Sequence, residues 1–346
     1  MSKTALNSVL LFLIVVALLC LSTGNQSAFA EDKASQTHQH LHQIDYKPLH
    51  FGMLPGSGQP LIQVKINDTQ TATFLVDTGS SGSLISRELA EQMNLPLMPA
   101  VDSENGSPIL WKGKQAMMTN ISTLKAGTLL FNNAPLFVLE AKQFVLSPSI
   151  GEANPYQGIL GINLLEHVAI LLDGRTHKLG FCIPGNLSQE QVGQIGIAQP
   201  CILPLTHVNE LQWYVTARFV NNGVEGDENL ALDTGSDSTY VSEQLAKKIK
   251  LKMRDQQGNK IIYGADVVAD AKTDKLSLGD LTLRDFLIAI RPASEKLPPS
   301  LGMDVLSGYR VLIDFPGGKM YIQPNPAAVP AITIGPAPTT NTPPAK

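Results

Sequence analysis

The chain has 346 residues, 43% of them apolar and 16% charged, enough to bury a sizeable core and long enough for two lobes. Its 30 acidic residues slightly outnumber its 26 basic ones, and no Lys/Arg cluster is present that could track a phosphate backbone, which argues against nucleic acid as a partner. Three cysteines are too few to build a disulfide framework.

At the N-terminus Lys3 precedes an apolar stretch from Val9 to Leu21, then polar residues, then Ala28-Phe29-Ala30. This pattern predicts a cleavable secretory signal over 1–30. The apolar core is shorter than a membrane span and ends in small residues, with a retained anchor as the alternative. The expected location is periplasmic or extracellular, with no stable membrane span after cleavage. Cys20 lies behind Leu18-Leu19, without the small residue a lipid-attachment site needs, and is read as part of the signal. Residues 31–57 read as a polar leader. His38, His40, His42 and His50 invite a metal reading, because alternating histidines share a face in an extended chain. No Cys or carboxylate stands at a fixed spacing from them, so the segment is read as solvated and no metal is expected.

From residue 58 the chain repeats itself. Phe74-Leu75-Val76 runs into Asp77-Thr78-Gly79-Ser80, and Leu230-Ala231-Leu232 runs into Asp233-Thr234-Gly235-Ser236. At the same offset of 156 residues, the block from Ser86 to Leu95 matches the block from Ser242 to Leu251. Each block predicts a short helix capped by its serine, with apolar residues spaced to pack on its own lobe. Leu124-Lys125-Ala126-Gly127 answers Leu276-Ser277-Leu278-Gly279, each followed by the alternation of a half-buried strand. Then Leu160-Gly161-Ile162-Asn163-Leu164-Leu165 answers Leu301-Gly302-Met303-Asp304-Val305-Leu306, and the strand Ile170–Asp173 answers Val311–Asp314, now at an offset of 141. Loops absorb the lost residues because they contribute little packing.

The predicted class is all-β: two lobes related by a pseudo-twofold axis, each with a short helix. The lobes are assigned to 58–184 and 204–323, with a linker at 185–203 and a Pro/Ala/Thr-rich tail at 324–346 that cannot form a core. Cys182 and Cys201 flank the linker. Export would permit a disulfide between them, and two unlinked thiols are the alternative.

One Asp-Thr-Gly is an ordinary turn sequence. Two of them, each after an apolar strand and before a matching helix, offer two carboxylates from fixed backbones that can meet at the pseudo-twofold axis. No Gly-x-Ser-x-Gly elbow, Cys/His metal spacing or phosphate-binding loop accompanies them. The chain resembles the pepsin and retroviral clan of aspartic proteases over about residues 58 to 323. The two Asp-Thr-Gly-Ser motifs, Ile159–Leu165 and Leu301–Leu306 carry the resemblance, which is closest to the retropepsin-like proteins of bacteria with two lobes fused.

The resemblance implies closed β-barrel lobes and an aspartic endopeptidase, monomeric with an internal pseudo-dimer. It would take a peptide or protein substrate and need no cofactor. Asp77 and Asp233 would hold a water between them and share a proton. Thr78 and Thr234 would brace the loops across the dyad, and Gly79 and Gly235 would let backbone amides approach the carboxylates. Ser80 and Ser236 would each donate a hydroxyl hydrogen bond to the neighbouring aspartate, lowering the pair's pKa values and giving an acidic working range. A flap is expected within Gly106 to Met118, including Trp111 and Gly113, and near Tyr263-Gly264-Ala265. Trp111 and Tyr263 read equally well as buried aromatics. Ser300 stands where the family usually has an apolar residue. A catalytically idle peptide-binding module with the same fold is the alternative function.

Overall fold

The computed structural model describes residues 42–45, 47–49, 58–102, 105–111, 113–127, 129–140, 156–174, 176–182, 187–208, 212–254, 269–291 and 297–324. Within them the repeat seen in the sequence is a repeat of architecture. The first lobe is an eight-stranded sheet in the spatial order Lys47–Leu49, Gln59–Ile66, Gln70–Val76, Gly158–Leu160, Leu84–Ser86, Leu129–Leu139, Met117–Ala126 and Met98–Pro99. The second lobe has the same order with Thr206–Val208, Gln212–Asn221, Val224–Leu232, Ser300–Leu301, Tyr240–Ser242, Leu281–Arg291, Ala269–Leu278 and Met253–Arg254. Each sheet curls onto itself, because Gln59–Ile66 also pairs with Met117–Ala126 and Gln212–Asn221 with Ala269–Leu278. This is the closed-barrel form that the resemblance implies.

Local chemistry accounts for the strands. In Gln59–Ile66 the residues Ile62, Val64 and Ile66 are buried while Gln63 and Lys65 face water, the period-two pattern of a strand with one face on a core. The two-residue turn Asn222-Gly223 has both residues at positive φ, which suits a tight hairpin between Gln212–Asn221 and Val224–Leu232. The predicted helices form at Arg87–Gln92 and Glu243–Lys248. Ser86 Oγ accepts from Leu89 N and Ser242 Oγ from Leu245 N, satisfying an amide that the first turn leaves free. Each lobe also holds a one-turn helix, Ile162–Leu165 or Met303–Leu306, where the sequence reading placed only one helix per repeat.

A six-stranded sheet drawn from both lobes joins them. Its order is His42–Asp45, Lys178–Cys182, Ala169–Asp173, Tyr309–Asp314, Lys319–Pro324 and Cys201–Pro204. At its centre Leu171 pairs with Leu312, and these two residues are themselves repeat equivalents. The pseudo-twofold axis therefore passes through this pair. The helix Gln189–Gln194, closed by a capping box between Ser188 and Gln191, covers one face of the sheet by packing Val192 with Leu171, Leu312 and Tyr321.

The described residues bear on the leader, the linker and the two cysteines. Residues 42–45 and 47–49 of the supposed solvated leader are strands of two different sheets, held by backbone pairing that their polar composition does not announce. Within the linker the described residues hold the helix Gln189–Gln194, and Cys201 already begins a strand of the shared sheet. The Cys182–Cys201 disulfide does not form. Three strands lie between the two positions, which places them about 19 Å apart at ~4.8 Å per strand, beyond the ~7 Å that a disulfide spans. Cys201 is free, and its thiol donates to Leu278 O at 3.3 Å. The signal, His38, His40, His50, the flap candidates Tyr263 and Gly264, and the tail beyond Pro324 lie outside the described residues.

Candidate active site

Both Asp-Thr-Gly-Ser motifs leave their buried strands at the lobe junction. Asp77 N donates to Leu160 O at 3.0 Å and Asp233 N to Leu301 O at 3.1 Å, so each loop is tied to the Leu-Gly element of its own lobe. The amides of Gly79 and Ser80 donate to Asp77 Oδ1 at 2.9 and 3.1 Å. Those of Gly235 and Ser236 serve Asp233 in the same way. The two carboxyls meet: each lies against the glycine of the opposite motif and the charge of Asp233 acts on Asp77, while each residue keeps some accessible surface.

Two reciprocal clamps hold this meeting point. Thr78 Oγ1 donates to Leu232 O at 2.9 Å and accepts from Thr234 N at 3.0 Å. Thr234 Oγ1 donates to Val76 O at 2.8 Å and accepts from Thr78 N at 3.1 Å. The threonines thus brace the dyad as the resemblance implies. The second clamp was missed. Gln59 Nε2 donates to Gly235 O, and Gln212 Nε2 to Gly79 O at 3.2 Å, each from the lobe opposite its acceptor. The signal was present in the sequence: Gln59 and Gln212 open equivalent strands, as the pairings Leu61–Leu75 and Tyr214–Ala231 show.

The glycines do more than admit amides. A Cβ on Gly79 would lie 2.4 Å from Asp233 Oδ1, and one on Gly235 would lie 2.2 Å from Asp77 Cγ. Each glycine is therefore the surface against which the opposite carboxyl rests.

The serine expectation is corrected. Ser80 Oγ donates to Gly82 O at 2.9 Å and Ser236 Oγ to Ser238 O at 2.8 Å, so the hydroxyls tighten their loops and leave the carboxyls to the amides. The pKa expectation changes with it. Burial raises Asp77 well above the usual carboxylate range, and the charge of Asp233 raises it further. Burial also raises Asp233, against the pull of the Arg291 guanidinium and of its hydrogen bonds. Tyr156 and Tyr240, which the sequence reading did not single out, lie within electrostatic reach of Asp77 and Asp233 respectively, and burial pushes both phenols up.

The Leu-Gly elements lock the loops behind the dyad. Asn163 Oδ1 accepts from Ser83 N and Oγ at 2.7 and 2.8 Å, and Asp304 accepts from Thr239 N and Oγ1 at 2.8 and 2.7 Å. These are equivalent positions with different charge. Burial, with a smaller push from Asp237, raises Asp304 to about 7 despite its hydrogen bonds. A carboxyl raised on folding contributes stability that is fully present below its unfolded value near 4 and is lost as the pH rises through about 7. Asp304→Asn, which copies the first lobe, is therefore expected to stabilise the protein by on the order of 1–4 kcal/mol at pH ~8 and by nothing at pH ~4. Thermal melts at the two pH values check it, and equal Tm values for both proteins at the higher pH would show that Asp304 ionises without penalty.

Within Gly106 to Met118, Leu110–Trp111 and Lys114–Gln115 form a short hairpin, with Gly113 at φ 77°. Trp111 is buried beside Leu75, Tyr156 and Ile159, so it anchors the hairpin on the strands next to Asp77, while Leu110 is half exposed. His167 and His177 are exposed. Among the described residues no group of three or more His, Cys, Asp or Glu could hold a metal ion, and no helix is long and apolar enough to cross a membrane.

The sequence matches the family model described as aspartyl protease over residues 62–164 and 215–305, one segment in each lobe and each containing one of the two aspartates. No curated protein matches. Among solved structures, the chain is similar to conglutin gamma, a basic 7S globulin from lupine seeds, at 11% identity and a TM-score of 0.49, covering 83% of this chain and 96% of that one. It is also similar to a retropepsin-like aspartic protease from Rickettsia conorii at 18% identity and a TM-score of 0.28, covering 42% of this chain and 94% of that one.

Proposed function

The chain belongs to the aspartyl protease family, and on that premise we propose that it is an aspartic endopeptidase that hydrolyses peptide bonds with a water held between Asp77 and Asp233. The observation that carries the proposal is the meeting of the two carboxyls at the lobe junction, each resting against the glycine of the opposite motif between the paired threonines, with both residues partly exposed. Two carboxyls in contact cannot both ionise cheaply, so the pair retains one proton over a range of pH.

The ionised carboxylate takes a proton from water as its oxygen bonds to the peptide carbonyl carbon. The protonated partner gives its proton to the carbonyl oxygen. In the second step the first carboxyl delivers its proton to the amide nitrogen, the C–N bond breaks, and the other recovers its proton from the diol hydroxyl. Atoms and charge balance without a covalent intermediate. The substrate is an extended peptide lying across the lobe junction, the active species is one chain with its internal pseudo-dimer, and the protein works after export.

Purified protein incubated with a peptide library across acidic to neutral pH, with the products identified by mass, tests the reading. Internal cleavage supports it; peptide binding without cleavage favours the idle module. Because burial raises both carboxyls, the one-proton state extends above the ordinary carboxylate range. Activity is expected to fall at low pH as the dyad gains a second proton, and at higher pH as it loses the first. Ser80→Ala and Ser236→Ala are expected to leave both limbs in place, because neither hydroxyl bonds to a carboxyl. A displaced limb in either variant would contradict the observed bonding.

A further inference from the structure

The two lobes differ beside the dyad in one group of three positions. In the first lobe Leu84 pairs with Ile159 and lies next to the end of the strand carrying Leu139, and all three belong to one apolar cluster. The same strand pairings in the second lobe put Tyr240 opposite Ser300, with Arg291 at the position of Leu139. Arg291 is buried, with its guanidinium 4.3 Å above the centre of the Tyr240 ring and Nη2 3.5 Å from Ser300 Oγ. Ser300 belongs to the two-residue strand whose Leu301 carbonyl accepts from Asp233 N. The cation is thus fixed beside the root of one aspartate, and its counterpart beside the other is a leucine.

Removing a guanidinium from water is costly unless an anion or a set of acceptors receives it. A ring face and a hydroxyl supply part of that. The positive charge fixed there also acts on the dyad, favouring the ionised form of Asp233. We propose that Arg291 is a positioning residue that breaks the symmetry of the dyad, making Asp233 the ionised carboxylate that takes the proton from water and Asp77 the carboxyl that gives its proton to the peptide oxygen. This rests on the endopeptidase reading for its catalytic meaning, but not for the order in which the two groups ionise.

The charged and titratable groups around this centre, among the described residues, are consistent with that order. Asp233 faces Asp77 from the first lobe, with Arg291 and Tyr240 from its own. Asp77 faces Asp233 and Tyr156. Tyr240 is also within reach of Asp237 and Asp304, whose charges act on it in the same sense as that of Asp233.

The test is a carbon-13 carboxyl NMR titration, with Asp77 and Asp233 assigned from the spectra of Asp77→Asn and Asp233→Asn, alongside the pH dependence of kcat/KM for peptide cleavage. In the wild type Asp233 is expected to ionise first. In Arg291→Leu, which copies the first lobe, its titration and the acid limb of kcat/KM are expected to move up by about one pH unit or more. Arg291→Lys is expected to stay close to the wild type, and Arg291→Gln serves as the neutral variant should the leucine variant not fold. Asp77 ionising first in the wild type overturns the proposal without any variant. So does a folded neutral variant in which both the titration and the acid limb stay in place. If the titration moves as expected but no peptide is cleaved by the wild type, the role of Arg291 in ordering the dyad stands and the endopeptidase reading falls.

Discussion

Asp233→Asn and Asp77→Asn are each expected to reduce kcat/KM for peptide cleavage by about 10³-fold or more, and the double variant to be little worse than either. An asparagine keeps the shape of the side chain and can still accept from the loop amides that hold Asp77 at 2.9 and 3.1 Å. What it cannot do is take a proton from water or return one to the amine. The losses do not add because the two carboxyls act as one unit sharing one proton. The same variants should be more stable than the wild type at neutral pH. Both carboxyls are raised by burial, so the stability they contribute is present below the ordinary carboxylate value and is lost as the pH rises through the folded value. Loss of cleavage with a raised Tm near neutrality is the expected pair of results. Cleavage that survives in either variant rules out the water mechanism.

Gly235→Ala is expected to lower kcat/KM by about 10²-fold while costing about 1–3 kcal/mol of stability. Its Cβ would come within 2.2 Å of Asp77 Cγ, where carbon atoms in contact normally stand about 3.5–4.0 Å apart. Asp77 has little freedom to retreat, being held by two amides and by the carboxyl of Asp233, and the loop carrying Gly235 is held by the Thr clamp and by Gln59. The strain therefore falls on the spacing of the two carboxyls. Neither motif glycine has a positive φ, so the demand is for closeness and not for an unusual backbone. Gly193→Ala, where a Cβ meets nothing within 4 Å, is the matched control. Kinetics and chemical denaturation of the two variants decide the matter, and a Gly235→Ala protein with wild-type kcat/KM would show that the carboxyls do not rest on the opposite glycine.

The sequence was legible where structure is encoded locally and twice. The Ser-capped helices, the Leu-Gly elements and the Asp loops each depend on a few consecutive residues, so their repetition revealed both lobes and both aspartates. Side-chain direction was less legible. A serine beside an aspartate in sequence can direct its hydroxyl to the carboxyl or to a carbonyl, and in the fold Ser80 and Ser236 each donate to a carbonyl of their own loop. The strand at His42–Asp45 is not legible because its pairing partner, Lys178–Cys182, lies far away in sequence.

By itself, then, the chain determined that there are two equivalent lobes and which carboxylate each one offers, because repeated motifs carry their own short-range geometry. Only the tertiary structure decided that the lobes share a six-stranded sheet, that Gln59 and Gln212 clamp opposite loops, and that a guanidinium lies beside one aspartate and a leucine beside the other. Those relations join residues that lie far apart in the chain or in different lobes. They exist only once backbone pairing has fixed which strands are neighbours, and burial then gives the few charges at the junction their influence over one another.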